Sequence, residues 1–386
     1  MERTVEKREE KILIMVDWFA PGYRAGGPIQ SCVNVAFALK DRYGILVLTS
    51  DTDYGSKEPY PNITTNYWTN KLNPRIHVFY SRKADFSLQQ IKEVILEADA
   101  DYIYLNHLFS PLYVVYPLWL KWRGIIKGKV VVCPRGALYD SALSIKKYKK
   151  VPFLKLFRWM GIHKLVKFHA TNEREQNAIL EYFPGSEVMI ADNLPNTRQP
   201  AFKKIEKEPG ELKCIFIARI HPIKNLLLLL QALKQVKAAV SLTIIGPMED
   251  ISYWQKCEKL IAEFGNNITL EYRGAVPNHE LMEILHEHHL FILPTTGENF
   301  GHSIFESFLA GRPVLISDQT PWLNLEAHQI GWDLPLNNPK NFTNAIETAA
   351  AWDQGEFNVW ALSAWQYAKK FIDNPALKNQ YLQLFS

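Results

Sequence analysis

At 386 residues, with 47% hydrophobic and 22% charged residues, the chain exceeds the span of one hydrophobic core and predicts two domains. Its four cysteines (Cys32, Cys133, Cys214 and Cys257) lack paired spacing and its start, MERTVEKREEK, lacks a signal peptide's apolar run, so a disulfide scaffold is excluded and the cytoplasm is expected. The formal charge of +4 is uneven: residues 1–200 hold 28 Lys and Arg against 20 Asp and Glu, and the remainder holds 16 against 20.

In chain order, strands are predicted at 11–16, 45–49, 75–80, 102–105, 129–133, 167–170 and 187–190, with helices over 29–39, 88–98 and 173–182. The apolar run 102–120 has a membrane-like length, but Asn106, His107, Ser110, Pro111 and Pro117 interrupt it, which predicts a buried strand and then a helix. Alternating strands and helices imply a parallel sheet, whose ligands collect beyond the carboxyl ends of the strands. The pair Gly26-Gly27 opens the first helix and lets backbone approach a ligand closely, although it is not the G-x-G-x-x-G of dinucleotide binding. His107 follows the strand over 102–105, and Pro134-Arg135-Gly136 follows the next one, leaving Arg135 to meet an anion or an ion-pair partner. The polar, aromatic stretch 51–72 reads as a long excursion, either acceptor-binding or mobile.

Between 141 and 167 eight Lys and Arg occur with aromatics and leucines and no acid. A basic amphipathic segment reads as binding an anionic membrane surface, here with Phe153, Leu154, Phe157 and Trp159 as its apolar side; a solvated helix face is the alternative. No nucleic-acid-binding motif accompanies it, so nucleic acid is not an expected partner. Asn193-Leu194-Pro195-Asn196 then opens a proline- and charge-rich stretch to Gly210, the expected interdomain linker.

The second half predicts strands at 213–218, 241–245, 268–273, 290–293 and 313–316, and closing helices over 358–371 and 375–384. Arg219 and Lys224 flank the loop after its first strand. A lysine ahead of a helix is electrostatically poor unless an anion lies there, and the two cations would clamp a diphosphate. The stretch 290–321, LFILPTTGENFGHSIFESFLAGRPVLISDQTP, packs strand, polar loop, helix and strand into one unit. Its loop 295–303 brings backbone N–H groups to a helix start, where an anion is welcome. Glu298 and Glu306 bracket that anion site with seven residues between them, about two helical turns. Carboxylates gain nothing from phosphate, so their natural partners are hydroxyls, and phosphate plus polyol means a sugar nucleotide. His286, His288 and His289 are expected at an exposed helix end; no His/Cys cluster has metal-ligand spacing, and no metal site is expected.

Glu298, Phe300-Gly301, Glu306, Ala310-Gly311 and Pro313-Val314 in this spacing resemble the retaining glycosyltransferases of family 4. Pro134-Arg135-Gly136, Pro321-Trp322 and Gly331-Trp332-Asp333 look like its bacterial polysaccharide and lipopolysaccharide members. The resemblance implies an α/β, GT-B fold of two Rossmann-like domains facing each other across a cleft. Residues 1–196 would form the acceptor domain, joined by helices in 365–386, and 197–364 the nucleotide-sugar domain. It also implies that Arg219 and Lys224 hold the donor diphosphate, that Glu298 meets the sugar and Glu306 the ribose, and that Phe300, Gly301, His302 and Ser303 line the donor. Gly26 and Gly27 would face the donor diphosphate or the acceptor, and His107 would reach the sugar and the reacting centre. Asn196 matches the family's P-N-G, whereas Thr197 replaces its glycine.

The expected activity is therefore retaining glycosyl transfer from a nucleotide-diphosphate sugar, a donor substrate rather than a resident cofactor, to a glycan or lipid-linked glycan in cell-surface polysaccharide synthesis. The enzyme would be metal-independent and cytoplasmic, peripheral to the inner face of the cytoplasmic membrane. One rival is another activity of the fold, such as a phosphorylase or a sugar-phosphate synthase. A second is a catalytically inactive nucleotide-sugar-binding subunit of an assembly complex, against which the intact Arg219, Lys224, Glu298 and Glu306 argue.

Overall fold

The structure, a computed structural model, describes residues 8–82, 87–144, 146–196 and 200–386. The chain divides into two units, Met1–Leu194 with Ala376–Ser386, and Pro195–Pro375. Thr197 lies outside the described residues.

In the N-terminal unit the elements run β1 (Lys11–Met15), α1 (Gly27–Leu39), β2 (Gly44–Ser50), β3 (Trp68–Asn73), β4 (Ile76–Ser81), α2 (Leu88–Ala98), β5 (Tyr102–Asn106), α3 (Tyr116–Trp122), β6 (Lys129–Cys133), α4 (Asp140–Ser144), α5 (Lys147–Trp159), β7 (Lys167–Ala170), α6 (Glu173–Tyr182) and β8 (Glu187–Ile190). Among the described residues they form one eight-stranded sheet in the order β3-β4-β2-β1-β5-β6-β7-β8. Every pairing but one is parallel, and both faces are covered, which is why β1, KILIM, and β5, YIYLN, read as near-continuous apolar runs. The exception is the edge strand β3, antiparallel to β4 with a bulge between Thr69 and Asn73. Because β1 pairs with β2 on one side and β5 on the other, strand order reverses there, and the loops leaving β1 and β5 open at the switch point.

The C-terminal unit runs β9 (Glu211–Ile217), α7 (Leu226–Leu233), β10 (Ala239–Ile245), α8 (Ile251–Ile261), β11 (Ile268–Tyr272), α9 (Asn278–Leu285), β12 (Leu290–Leu293), α10 (His302–Leu309), β13 (Val314–Ser317), β14 (Gly331–Leu334), α11 (Pro339–Ala351) and α12 (Gln354–Ile372). Among the described residues its six strands lie in the order β11-β10-β9-β12-β13-β14, all parallel. Here the switch point falls between β9 and β12. Gly246, at φ 145°, lets β10 end against β9; a Cβ there would collide with the carbonyl oxygen of Ala218.

The closing helices part company. The start of the N-terminal domain's C-terminal segment at residue 365 needs correction, because α12 buries Phe357, Ala361, Ala364 and Ala368 in the core of the C-terminal unit. The segment Ala376–Ser386, most of it α13 (Pro375–Leu384), belongs to the N-terminal unit. There Tyr381 is fully buried beside His169, ring centroids 5.3 Å apart, and the Tyr43 hydroxyl donates to the Phe385 carbonyl at 3.0 Å. No described helix is long and apolar enough to cross a membrane; the run 102–120 is β5, a π-helical turn at Pro111–Val115, and α3.

Candidate active site

In the C-terminal unit the loops after β9 and β12 leave neighbouring strands at the switch point and are tied together. The Thr296 amide donates to the Ile223 carbonyl at 2.8 Å, and the buried Thr295 hydroxyl donates to the same carbonyl at 3.0 Å. This brings the residue after Ile223 to the loop after β12, and Lys224 Nζ forms an ion pair with Glu298. The two side chains are only 16% and 14% exposed, so each is the other's main compensation for leaving water. Arg219, on the same β9 loop, pairs with Glu249 at 2.7 Å and is more open, at 36%. Glu249 carries no signal in the sequence. It follows β10, and its amide and that of Asp250 both donate to the Ile220 carbonyl, so only the folded strand order brings it to Arg219.

Helix α10 starts at Gly301 in the left-handed region, φ 78°, where a Cβ would stand 2.6 Å from Ile304 Cδ1. Among the described residues no side chain caps it, so its first turn, at His302 and Ser303, presents backbone N–H groups and the positive end of its dipole. Phe300, expected to line the donor, turns its side chain into the core. Its ring is buried against Phe305, Trp322 and Phe371, and its carbonyl accepts from the Trp322 indole at 2.5 Å. It fixes the loop.

Glu306, one turn into α10, is buried, and the Asn278 amide donates to its Oε1 at 2.9 Å from the start of α9. Burial pushes its carboxyl up from the ordinary 4.5 to about 7, and the Asn278 hydrogen bond offsets part of that. The folded chain therefore holds this proton more tightly than the unfolded chain does. Stability from this group is greatest at low pH and falls as pH rises from about 4.5 to about 7, by about 3 kcal/mol in total, then stays level. Glu306→Gln should remove that fall. Urea unfolding of wild type and variant at about pH 5 and about pH 8 checks it; parallel stability curves for the two proteins would contradict that sign.

In the N-terminal unit Gly26, at φ 66°, precedes α1, and Gly27 is its first residue. The loop before them is held from an unexpected quarter: the Tyr23 and Arg24 amides donate to Asp53 Oδ2 at 2.9 and 3.2 Å, and the Tyr80 hydroxyl donates to the Ala20 carbonyl at 2.7 Å. The start of the 51–72 excursion is thus ordered scaffold for the glycine turn, with Asp51, Thr52, Asp53 and Tyr60 all buried. His107 lies just past β5 at φ 71°, unusual for a residue with a Cβ; it is exposed, and its amide donates to the Cys133 carbonyl at 3.0 Å.

Arg135, also at positive φ, donates to neutral side chains and forms no ion pair with an acidic one among the described residues. It donates to Asn106 Oδ1 at 3.0 and 3.1 Å, to Asn193, and to the Tyr104 hydroxyl at 3.0 Å. That hydroxyl donates in turn to His169 Nδ1, 2.7 Å, whose other nitrogen donates to the Ala191 carbonyl. Burial, with Arg135 adding to it, pulls His169 down to about 3 and keeps it neutral. Buried Glu175 accepts from the amides of Gly136 and Thr171 and from the Thr171 hydroxyl, pinning the turn to α6. Arg135 therefore joins the ends of β5, β6 and β8 as scaffold beneath His107.

The three histidines after α9 are buried, not exposed. β12 begins at Leu290 and draws them inward. His288 donates to the Ile284 carbonyl and accepts from Thr243; His289 donates to the Glu206 carbonyl and accepts from the Lys213 amide. Among the described residues no group of three His, Cys, Asp or Glu has metal-binding geometry. The two Asp-x-Asp triplets, Asp51-Thr52-Asp53 and Asp99-Ala100-Asp101, serve the fold. Asp53 and Asp101 accept backbone amides, and Asp99 pairs with Arg8 at 2.8 Å.

Residues 197–352, within the C-terminal unit, match the family model described as Glycosyl transferases group 1. Among solved structures the chain is similar to Anabaena HepE in complex with UDP and glucose, with 16% identity over 97% of this chain and 99% of that one and a TM-score of 0.67. It is also similar to sucrose-phosphate synthase from Thermosynechococcus elongatus, with 16% identity, 98% of each chain and a TM-score of 0.69. The fold is GT-B. WaaG, a glycosyltransferase involved in lipopolysaccharide biosynthesis, shares it at 12% identity and a TM-score of 0.64 over 97% of this chain and 99% of that one. No curated protein matches the chain.

Proposed function

We propose that this GT-B protein is a retaining glycosyltransferase that moves a sugar from a nucleotide-diphosphate sugar to a glycan or lipid-linked glycan acceptor in cell-surface polysaccharide synthesis. The observation that carries this is the pairing of Lys224 with Glu298 at the β9/β12 switch point, beside Arg219 and ahead of a helix start without a side-chain cap. A cation that accepts a diphosphate and a carboxylate that accepts sugar hydroxyls are already adjacent. The UDP and UDP-glucose complexes of HepE lend the donor class support.

The chemical barrier lies in expelling the nucleoside diphosphate while positive charge grows on the sugar ring. Arg219, Lys224 and the first amides of α10 stabilise the departing diphosphate; Glu298 accepts hydrogen bonds from the ring hydroxyls, and those strengthen as the ring loses electrons. Glu306 accepts from the ribose. Two side-chain cations at the leaving group do what a divalent ion would otherwise do, so the transfer is proposed as metal-independent. From the N-terminal unit, the family resemblance assigns His107 to the sugar and reacting centre, and Gly26 and Gly27 to close backbone approach. The enzyme would work in the cytoplasm.

A panel of UDP-, ADP- and GDP-sugars read by thermal shift and by nucleoside diphosphate release tests the proposal. One donor should raise the melting temperature saturably and be slowly hydrolysed, with the anomeric configuration retained in the product's NMR spectrum. Saturable binding with no hydrolysis or transfer would indicate the inactive subunit instead, and inversion at the anomeric carbon would refute the retaining mechanism.

A further inference from the structure

Helix α5 carries two apolar faces, and its fold uses only one. Leu154 and Phe157 are buried in the core of the N-terminal unit, and Phe153 packs beside them with its ring 5.8 Å from that of Phe109. These are three of the four residues that the sequence offers as the membrane-facing side, so that assignment is corrected. A surface helix that has buried its apolar stripe ordinarily presents a polar face to solvent. This one does not. Tyr148, Pro152, Leu156 and Trp159 recur at i, i+4, i+8 and i+11 and form a single outward stripe. Tyr148 is 73% exposed, Leu156 51% and Trp159 83%.

The charges around that stripe share one sign. Lys147, Lys149, Lys155 and Arg158 are exposed on the helix, Lys146 precedes it and Lys164 follows it, and 141–167 contains no acid. Lys150 stands apart, because its ammonium turns inward, donating to the Ala142 carbonyl at 2.6 Å and lying 5.1 Å from the centre of the Phe109 ring.

A stripe of Trp, Tyr and Leu between cations from a segment without acids complements a surface with an apolar layer beneath a negative one. Such a face fits the headgroup boundary of an anionic bilayer, where Trp and Tyr lie level with the headgroups and lysines reach phosphate. We propose that the outward face of α5, Tyr148, Pro152, Leu156 and Trp159 flanked by Lys147, Lys149, Lys155 and Arg158, docks this protein on an anionic phospholipid membrane. The inference stands apart from the donor site, since none of these residues lies in the C-terminal unit. It gives the proposed transferase a way to meet lipid-linked acceptors.

Each basic residue near an anionic surface contributes about fivefold in binding before salt screening. The test uses the full chain and vesicles of phosphatidylcholine with or without phosphatidylglycerol, read by co-sedimentation. Wild type should sediment with the anionic vesicles only. Lys147→Gln with Lys149→Gln and Lys155→Gln should weaken binding at least tenfold, and Tyr148→Ser with Leu156→Ser and Trp159→Ser should weaken it comparably. Both triple variants should keep the wild-type circular dichroism spectrum and nucleotide-sugar thermal shift, because their changes are exposed. Quenching of tryptophan fluorescence by brominated phosphatidylglycerol should be larger in wild type than in Trp159→Phe. Equal binding to neutral vesicles, binding indifferent to the charge variant, or capture of a single-stranded oligonucleotide in place of vesicles would overturn the proposal. None of those results would touch the donor-binding and hydrolysis assays, which use soluble donor alone.

Discussion

Lys224→Ala is expected to cut turnover of the nucleotide sugar by ~10²-fold or more, the scale of losing one preorganised electrostatic contact to the leaving group. Arg219→Ala should fall in the same range, because both side chains leave the β9 loop. The pairing of Lys224 with Glu298 adds a second expectation. Removing the lysine leaves a carboxylate that is only 14% exposed without its cation, so the variant should lose stability as well as rate. Adding Glu298→Gln neutralises that carboxylate and should restore stability without restoring turnover. Steady-state kinetics with the identified donor, beside thermal unfolding of both variants, separates the two effects. Near-normal kinetics in Lys224→Ala and Arg219→Ala together would remove this loop from the reaction.

The two glutamates should divide their labour. Glu298→Gln is expected to lower kcat, since the amide is a weaker partner for hydroxyls on a ring that becomes positive. KM should hold or fall, because the donor no longer has to draw Lys224 away from a carboxylate. Glu306→Gln should mainly raise KM: its partner is the neutral Asn278, and a ribose contact is equally strong in ground and transition states. Matching kcat and KM changes for the two variants would contradict this split.

Much of the architecture was legible because parallel strands buried on both faces are apolar runs: Leu290–Leu293, Lys129–Cys133 and Lys167–Ala170 fall where the residues put them. β3, WTNKLN, was not, because an edge strand paired on one side keeps the polar composition of a loop. At the site, Lys224 and Glu298 announce themselves by type and position. Glu249, Asn278 and Asp53 do not, since each acts on a partner roughly thirty residues away through strand order rather than local spacing. The burial of His286, His288 and His289 escaped for a related reason. Nothing in a charged helix end tells how soon the next core strand pulls it inward. On α5, apolar residues fall on both sides of the helix, so composition names the segment but not the side that faces its own domain.

The ion pair between Lys224 and Glu298 has a consequence for the order of events in a catalytic cycle. In the proposed transfer an intact donor would offer both halves of the pair a replacement, phosphate for the lysine and hydroxyls for the carboxylate, so neither would be left stranded when they separate. The nucleoside diphosphate left after transfer offers only the first. Glu298, having lost its hydroxyls, would then compete for the lysine that holds the spent nucleotide. Under the proposed function, the same pair that a whole donor opens would thus work against the retention of its remnant, biasing the site toward release and limiting inhibition by its own product.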